Sequence, residues 1–181
     1  MGVPVIKVGS GKYRSRVLLT PEEGTLPTKN MVREAMMSMV QDYLYGANVL
    51  DLFAGSGALG IEALSRGAKS ATFVDASPKA CAVIKKNLET LKDNNGKVIF
   101  ASFKDALSRM NEPFDLAFLD PPYAMKESYQ EALDGLLAHG LLKDSCAVVL
   151  EYEGAIEIQS EAFSSRREYT YGKTKVILLR R

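Results

Sequence analysis

The sequence predicts an α/β protein built on a mostly parallel sheet, with antiparallel pairing at its C-terminal end. Three observations carry this expectation. From residue 48 onward, short continuous apolar runs alternate with amphipathic stretches of helical length, as a sheet covered on both faces requires. The first run leads into a glycine-rich turn that opens a helix. The last two runs, residues 166–172 and 175–181, are joined by a short loop, so they pair antiparallel.

In order, residues 4–8 and 13–19 are extended segments around "GSGK", a turn signal, and predict a small β hairpin with a basic exposed side. "PEEGTLPTKN" is a loop, and Thr28 or Asn30 caps the helix after it. That helix places Val32, Ala35, Met36, Met39, Val40 and Tyr43 on its apolar face and Arg33, Glu34 and Gln41 opposite. "NVLDLF" is a strand, "SGALGIEALSRGA" a helix closed by Gly67, and "SATFVD" the second strand. "SPKACAVIKKNLETLKD" is a helix capped by Ser77, "KVIFAS" the third strand and "FDLAFLD" the fourth. Residues 127–138 are helical, and "CAVVLEY" is the fifth strand. With no repeat and no long linker, residues 1–24 are expected to form a hairpin appendage and residues 25–181 a single domain.

A chain of 181 residues can bury one core. It holds no run near the ~18 apolar residues that span a bilayer, and its first residues lack the apolar centre of a secretion signal. A cytoplasmic monomer is expected. Cys81 and Cys146 lie in apolar segments and read as core, and with one His they offer no ligand set for a metal. Net charge is +1, but Lys7, Lys12, Arg14 and Arg16 crowd one end and six further cations the other. Basic ends of this kind grip phosphate or simply face water.

"VLDLFAGSGALG" sets Gly55, Gly57 and Gly60 in G-x-G-x-x-G spacing between a strand and a helix, and Asp75 ends the next strand. That order fits a nucleoside-type cofactor whose ribose hydroxyls Asp75 accepts. Asp51, just before the turn, would repel a pyrophosphate but suits a cofactor with a positive group and no phosphate, such as the ammonium of S-adenosylmethionine. Asp51 is equally suited to tying the turn down through backbone N–H groups. Asp105 is placed either to accept from an adenine amine or to cap a helix. Phe53 and Ala106 pack against the cofactor or belong to the core.

"FDLAFLDPPYAM" ends a buried strand on Asp120, then sets Pro121, Pro122 and Tyr123. One proline would stop a strand; two fix a rigid loop. A base amine is a poor nucleophile because its lone pair is conjugated. Asp120 and the Pro121 carbonyl, one per N–H, can hold such a nitrogen toward a tetrahedral shape, and Tyr123 offers a stacking face. His139, at a helix end before Gly140, reads as a C-terminal cap rather than a base. An NAD-dependent oxidoreductase, an enzyme acting on adenine N6 or protein glutamine, and a non-catalytic RNA-binding assembly factor are the competing readings.

"GKYRSRVL", "PTKNMVREAM", "VLDLFAGSGALGIEALSRGA", "FVDAS", "FDLAFLDPPY" and "YGKTKV", in this order, resemble the RsmD-like family of bacterial small-subunit ribosomal RNA guanine-N2 methyltransferases. The resemblance implies a class I, Rossmann-like methyltransferase with a seven-stranded sheet and an RNA-gripping N-terminal hairpin carrying Lys7, Lys12, Arg14 and Arg16. It implies that Asp51, Phe53, Gly55, Ser56, Gly57, Asp75, Ala76, Asp105 and Ala106 hold S-adenosylmethionine, with Thr28 and Arg33 at its methionine end. Asp120, Pro121, Pro122 and Tyr123 would receive the target base, and ribosomal RNA or the small subunit would be the partner. The chain departs from the family pattern at Leu26, Asn30 and Met31, which replace the usual Arg, Asp and Arg.

Overall fold

A computed structural model describes residues 5–21 and 30–181. The N-terminal hairpin is real but shorter than expected: β1 is Ile6–Lys7 and β2 Val17–Leu18, paired antiparallel. Gly11 and Ser15 take positive φ (84° and 67°) between them, so the second expected segment opens as turn, over residues 13–15, before β2 begins.

The parallel sheet begins with β3 (Asn48–Asp51), β4 (Ser70–Asp75), β5 (Gly96–Phe100) and β6 (Phe114–Leu119), and continues with β7 (Leu142–Glu153). β8 (Ser165–Tyr171) and β9 (Thr174–Arg180) complete a seven-stranded sheet in the order β5-β4-β3-β6-β7-β9-β8. Strands β3 to β7 are mutually parallel, and β9 runs antiparallel to both β7 and β8. The order reverses between β3 and β6, which opens a crevice at their carboxyl ends. β7 starts earlier than its apolar run, at Leu142, with a shift of register against β6 between Phe114 and Leu116. Lys143 in that early stretch reaches the Asp115 carboxylate at 2.8 Å.

Helices α1 (Asn30–Met39), α3 (Ala58–Ser65) and α4 (Pro78–Leu91) cover one face of the sheet, and α5 (Phe103–Arg109) and α6 (Glu127–Ala138) the other. The chain breaks helical geometry at Val40 and resumes in α2 (Gln41–Leu44), so the single helix expected to carry Val32 through Tyr43 is two. Arg33, expected on the polar face of α1, is 1% exposed. Its Nη2 donates to the Lys7 carbonyl at 2.5 Å and to Asn30 Oδ1 at 2.9 Å, and its Nε lies 3.5 Å from the buried Glu62 carboxylate. A guanidinium is buried where such partners meet it.

Ser77 caps α4, accepting the Ala80 N–H ahead of Pro78, and His139 ends α6 before Gly140 at φ 64°. Both cysteines are buried in the core. Tyr169 and Tyr171 lie half-buried on the edge strand β8.

Candidate active site

Three acids and a glycine turn converge where β3, β4 and β6 end. Asp51 closes β3 and is 2% exposed; its Oδ2 accepts the Gly60 N–H at 3.0 Å. Burial pushes its carboxyl up to about 7, the Gly60 N–H opposes this, and the charge of Asp75 adds to it. Asp75 closes β4 and spans two backbones: Oδ2 accepts from Gly55 N and Oδ1 from Ser77 N, both at 2.9 Å. The carboxylates therefore do tie the turn down. Each oxygen has a second lone-pair direction, so ligand binding is compatible with that work.

Two glycines serve different ends. Gly55 sits at φ 56°, and a Cβ placed on it would meet nothing within 4 Å, so the turn offers bare backbone to the crevice. At Gly60 a Cβ would lie 2.3 Å from the Phe73 ring, so this residue lets α3 approach β4.

Asp51 pairs in register with Phe118 of the neighbouring strand, which sets Asp120 just beyond the strand end beside the glycine turn. Asp120 is half-buried, Pro121 buried and Pro122 exposed. The Pro122 carbonyl accepts the Met125 N–H at 2.9 Å and closes the turn. Tyr123 is 55% exposed. Its hydroxyl is held above its ordinary pKa by burial, then by a hydrogen bond to Glu153 and the charges of Glu153, Asp120 and Glu151.

On the far side of β4, the cap of α5 is Ser102, whose Oγ accepts the Asp105 N–H at 3.1 Å. The capping reading of Asp105 is thus corrected; this residue is exposed in the first turn. Ala106 is 2% exposed in the core, Ala76 is exposed, and Phe53 meets Phe103 at 5.3 Å between ring centroids. A cavity of about 330 Å³, lined among others by Thr72, Lys97, Ile99, Arg109 and Met110, lies toward the amino ends of β3, β4 and β6 and includes none of the three acids. Thr28 falls outside the described residues. Arg33 is drawn to Glu62 and the hairpin, while its Nη1 has no hydrogen-bond partner among the described residues.

The hairpin is bolted to α3 and α4 by residues that the sequence pattern does not single out. Glu62, 1% exposed, accepts from Gly9 N (3.1 and 3.0 Å) and Ser10 N (3.1 Å), and from Arg66 Nε at 3.1 Å. The one signal available was the i, i+4 spacing of Glu62 and Arg66. Asn87, 3% exposed in α4, accepts from Leu19 N at 2.8 Å and donates to the carbonyls of Leu19 and Ser56, both at 3.1 Å. Of the four hairpin cations, Lys12 lies 3.3 Å from Asp93 and Arg16 donates to the Thr90 carbonyl at 3.2 Å; Lys7 and Arg14 are exposed.

Among the described residues, no helix is long and apolar enough to cross a membrane, and no group of three or more His, Cys, Asp or Glu could hold a metal ion.

Fold and crevice together define a methyltransferase of the Rossmann-like class. The chain belongs to the family described as Conserved hypothetical protein 95, which matches residues 6–180. It is 35% identical over 149 residues to Ribosomal RNA small subunit methyltransferase D of Escherichia coli strain K12, covering 82% of this chain and 75% of that protein. The Haemophilus influenzae protein of the same name is 37% identical over 153 residues, covering 82% and 79%. The solved structure of Escherichia coli yhhF superposes with a TM-score of 0.88 at 32% identity, covering 98% of both chains. S-adenosylmethionine is the cofactor of this class, and the crevice fits it: a buried carboxylate in want of a cation, a second acid at the next strand end, and bare glycine backbone between them.

Proposed function

We propose that this protein methylates the exocyclic N2 amine of a guanine in small-subunit ribosomal RNA. The observation that carries the reading is the juxtaposition of the Asp51 glycine turn and the Asp120-Pro121-Pro122-Tyr123 loop on adjacent parallel strands at the point where the sheet order reverses. The ribosomal RNA substrate rests on the names of the relatives, and guanine N2 on the sequence resemblance.

Asp51 faces the ammonium of the cofactor, Asp75 its ribose hydroxyls, and Asp105 its adenine amine. Gly55, Ser56 and Gly57 give it backbone to lie against, with Phe53, Ala76 and Ala106 beside it. Arg33, which keeps Nη1 unpartnered among the described residues, suits a carboxylate at the methionine end, where Thr28 is also expected. When bound, S-adenosylmethionine supplies a methyl on positively charged sulfur, which the amine nitrogen takes as the carbon–sulfur bond breaks. Asp120 and the Pro121 carbonyl accept the two N–H groups of that amine and free its lone pair. Asp120 also offsets the positive charge that grows on the nitrogen, and Asp120 or water takes the departing proton. Tyr123, held through its hydroxyl by Glu153, stacks the base. Lys7, Lys12, Arg14 and Arg16 meet RNA phosphates from the hairpin.

The test is labelled-methyl transfer to small-subunit particles, naked RNA, DNA and protein, with Asp120→Ala alongside. Transfer to RNA that Asp120→Ala lowers at least ~100-fold, with S-adenosylhomocysteine affinity within a few-fold, is expected. Label on protein or DNA alone refutes the reading.

A further inference from the structure

Glu151 is the acid for which the chemistry above has no use. It lies in β7, the strand beside β6, and is 9% exposed. Leu119 and Leu150 are in register, so Asp120 and Glu151 are the next residues along the two strands. Leu119, Leu150 and Tyr152 belong to the core beneath α5 and α6, as do Leu50 and Leu52 around Asp51. Alternation therefore sends Asp51, Asp120 and Glu151 to the opposite face, one acid near the carboxyl end of each of three adjacent strands.

On that same face of β7, Ala147 and Val149 are fully buried and apolar. Val176 of β9 pairs with Glu151 on its other side. Tyr129 donates to the Glu151 main-chain carbonyl at 2.5 Å and fixes the strand end. Packing alone would favour another aliphatic residue here, because a buried carboxylate costs free energy. Burial and then the charges of Asp120 and Glu151 raise the Tyr129 hydroxyl above its ordinary pKa, which puts both acids within electrostatic reach of one phenol.

We propose that Glu151 selects the acceptor base by accepting the N1–H of guanine while Asp120 accepts from the neighbouring N2 amine. This rests on the guanine-N2 reading and adds to it the means of discrimination. Guanine shows two adjacent kinds of donor on that edge, N1–H and N2–H. Adenine shows a donor beside the bare acceptor N1, and an ionised carboxylate only accepts. Its two oxygens offer about four lone-pair directions, so contacts within the protein do not exhaust them. Sites built to bond an N–H reject analogues that lack it far more strongly than apolar pockets reject shape changes.

The experiment uses the full chain and small-subunit particles that lack the methyl group. The guanine labelled by the unaltered protein is mapped, and particles are reconstituted with 2-aminopurine at that position, which keeps the 2-amino group and lacks N1–H. The unaltered protein should lose at least ~100-fold in kcat/KM on 2-aminopurine. Glu151→Gln should lose ~10- to 100-fold on guanine and narrow the gap between the bases, because its amide can donate to the bare N1. Its S-adenosylhomocysteine affinity should stay within twofold, by calorimetry. Guanine labelling with 2-aminopurine accepted equally well by the unaltered protein overturns the role of Glu151 alone. Label on adenine amines or on protein overturns the guanine reading with it.

Discussion

With Asp51 in its proposed place opposite the ammonium, cofactor binding should depend on pH in a direction that can be worked out beforehand. Its carboxyl, pushed up to about 7 by burial, must ionise to face an ammonium group. Binding a cation draws that value down, so the complex forms with loss of a proton at mildly acid pH. Without ligand, the ionised fraction is about one half at pH 7.0 and about one thirtieth at pH 5.5. Affinity for S-adenosylhomocysteine should therefore fall about 15-fold between those values, or ~1.6 kcal/mol. The assay is calorimetry at both pH values in two buffers of different ionisation heat, with Asp51→Asn as control. The unaltered protein should release close to one proton per ligand at pH 5.5, and the variant should bind more weakly with a flat profile. Equal affinity at the two pH values, or the same slope in Asp51→Asn, would refute the reasoning. Ligand-free stability should move the other way. The folded value lies above the 3.8 of an ordinary Asp, so the folded protein keeps a proton that the unfolded chain has lost. This contribution is present below that range and is lost as pH rises from about 3.8 to about 7, at up to ~1.4 kcal/mol per pH unit.

Gly60→Ala should destabilise the fold by ~1–3 kcal/mol, because its Cβ would enter the Phe73 ring; a melting scan should show a drop of roughly 3–9 °C, and an unchanged midpoint would mean that α3 shifts at no cost. Glu62→Gln leaves Arg33 buried without its ion pair. It should cost ~3–5 kcal/mol and speed amide exchange at Gly9 and Ser10 ahead of the sheet, and exchange that accelerates evenly across the chain would contradict this anchoring role.

The parallel sheet was legible because strands buried on both faces carry apolar side chains in unbroken runs, as Val49-Leu50 in β3, Phe73-Val74 in β4 and Leu116-Ala117-Phe118-Leu119 in β6 do. The glycine turn and its acids were legible because their spacing fixes which strand ends they occupy. Arg33 was misplaced because periodicity treats charge as outward-facing; only a fold that brings Glu62 and the Lys7 carbonyl to it makes burial tolerable. The opening of β7 was hidden by Lys143, Asp144 and Ser145, which are polar yet extended. Glu151 lies inside the fifth expected strand, "CAVVLEY", where the sequence gives it no role. Its placement beside Asp120 depends on the β6–β7 register, which is a property of the sheet and not of either segment.

Asn87 has a consequence that reaches beyond holding the arm in place. One carboxamide grips Leu19 at the root of the hairpin and Ser56 at the crown of the glycine turn. Arm and turn share a fastener, so neither can be displaced without straining the other. Any preference of bound RNA for one setting of the arm must then return as an equal preference in how the turn greets its nucleoside, since such linkage is reciprocal.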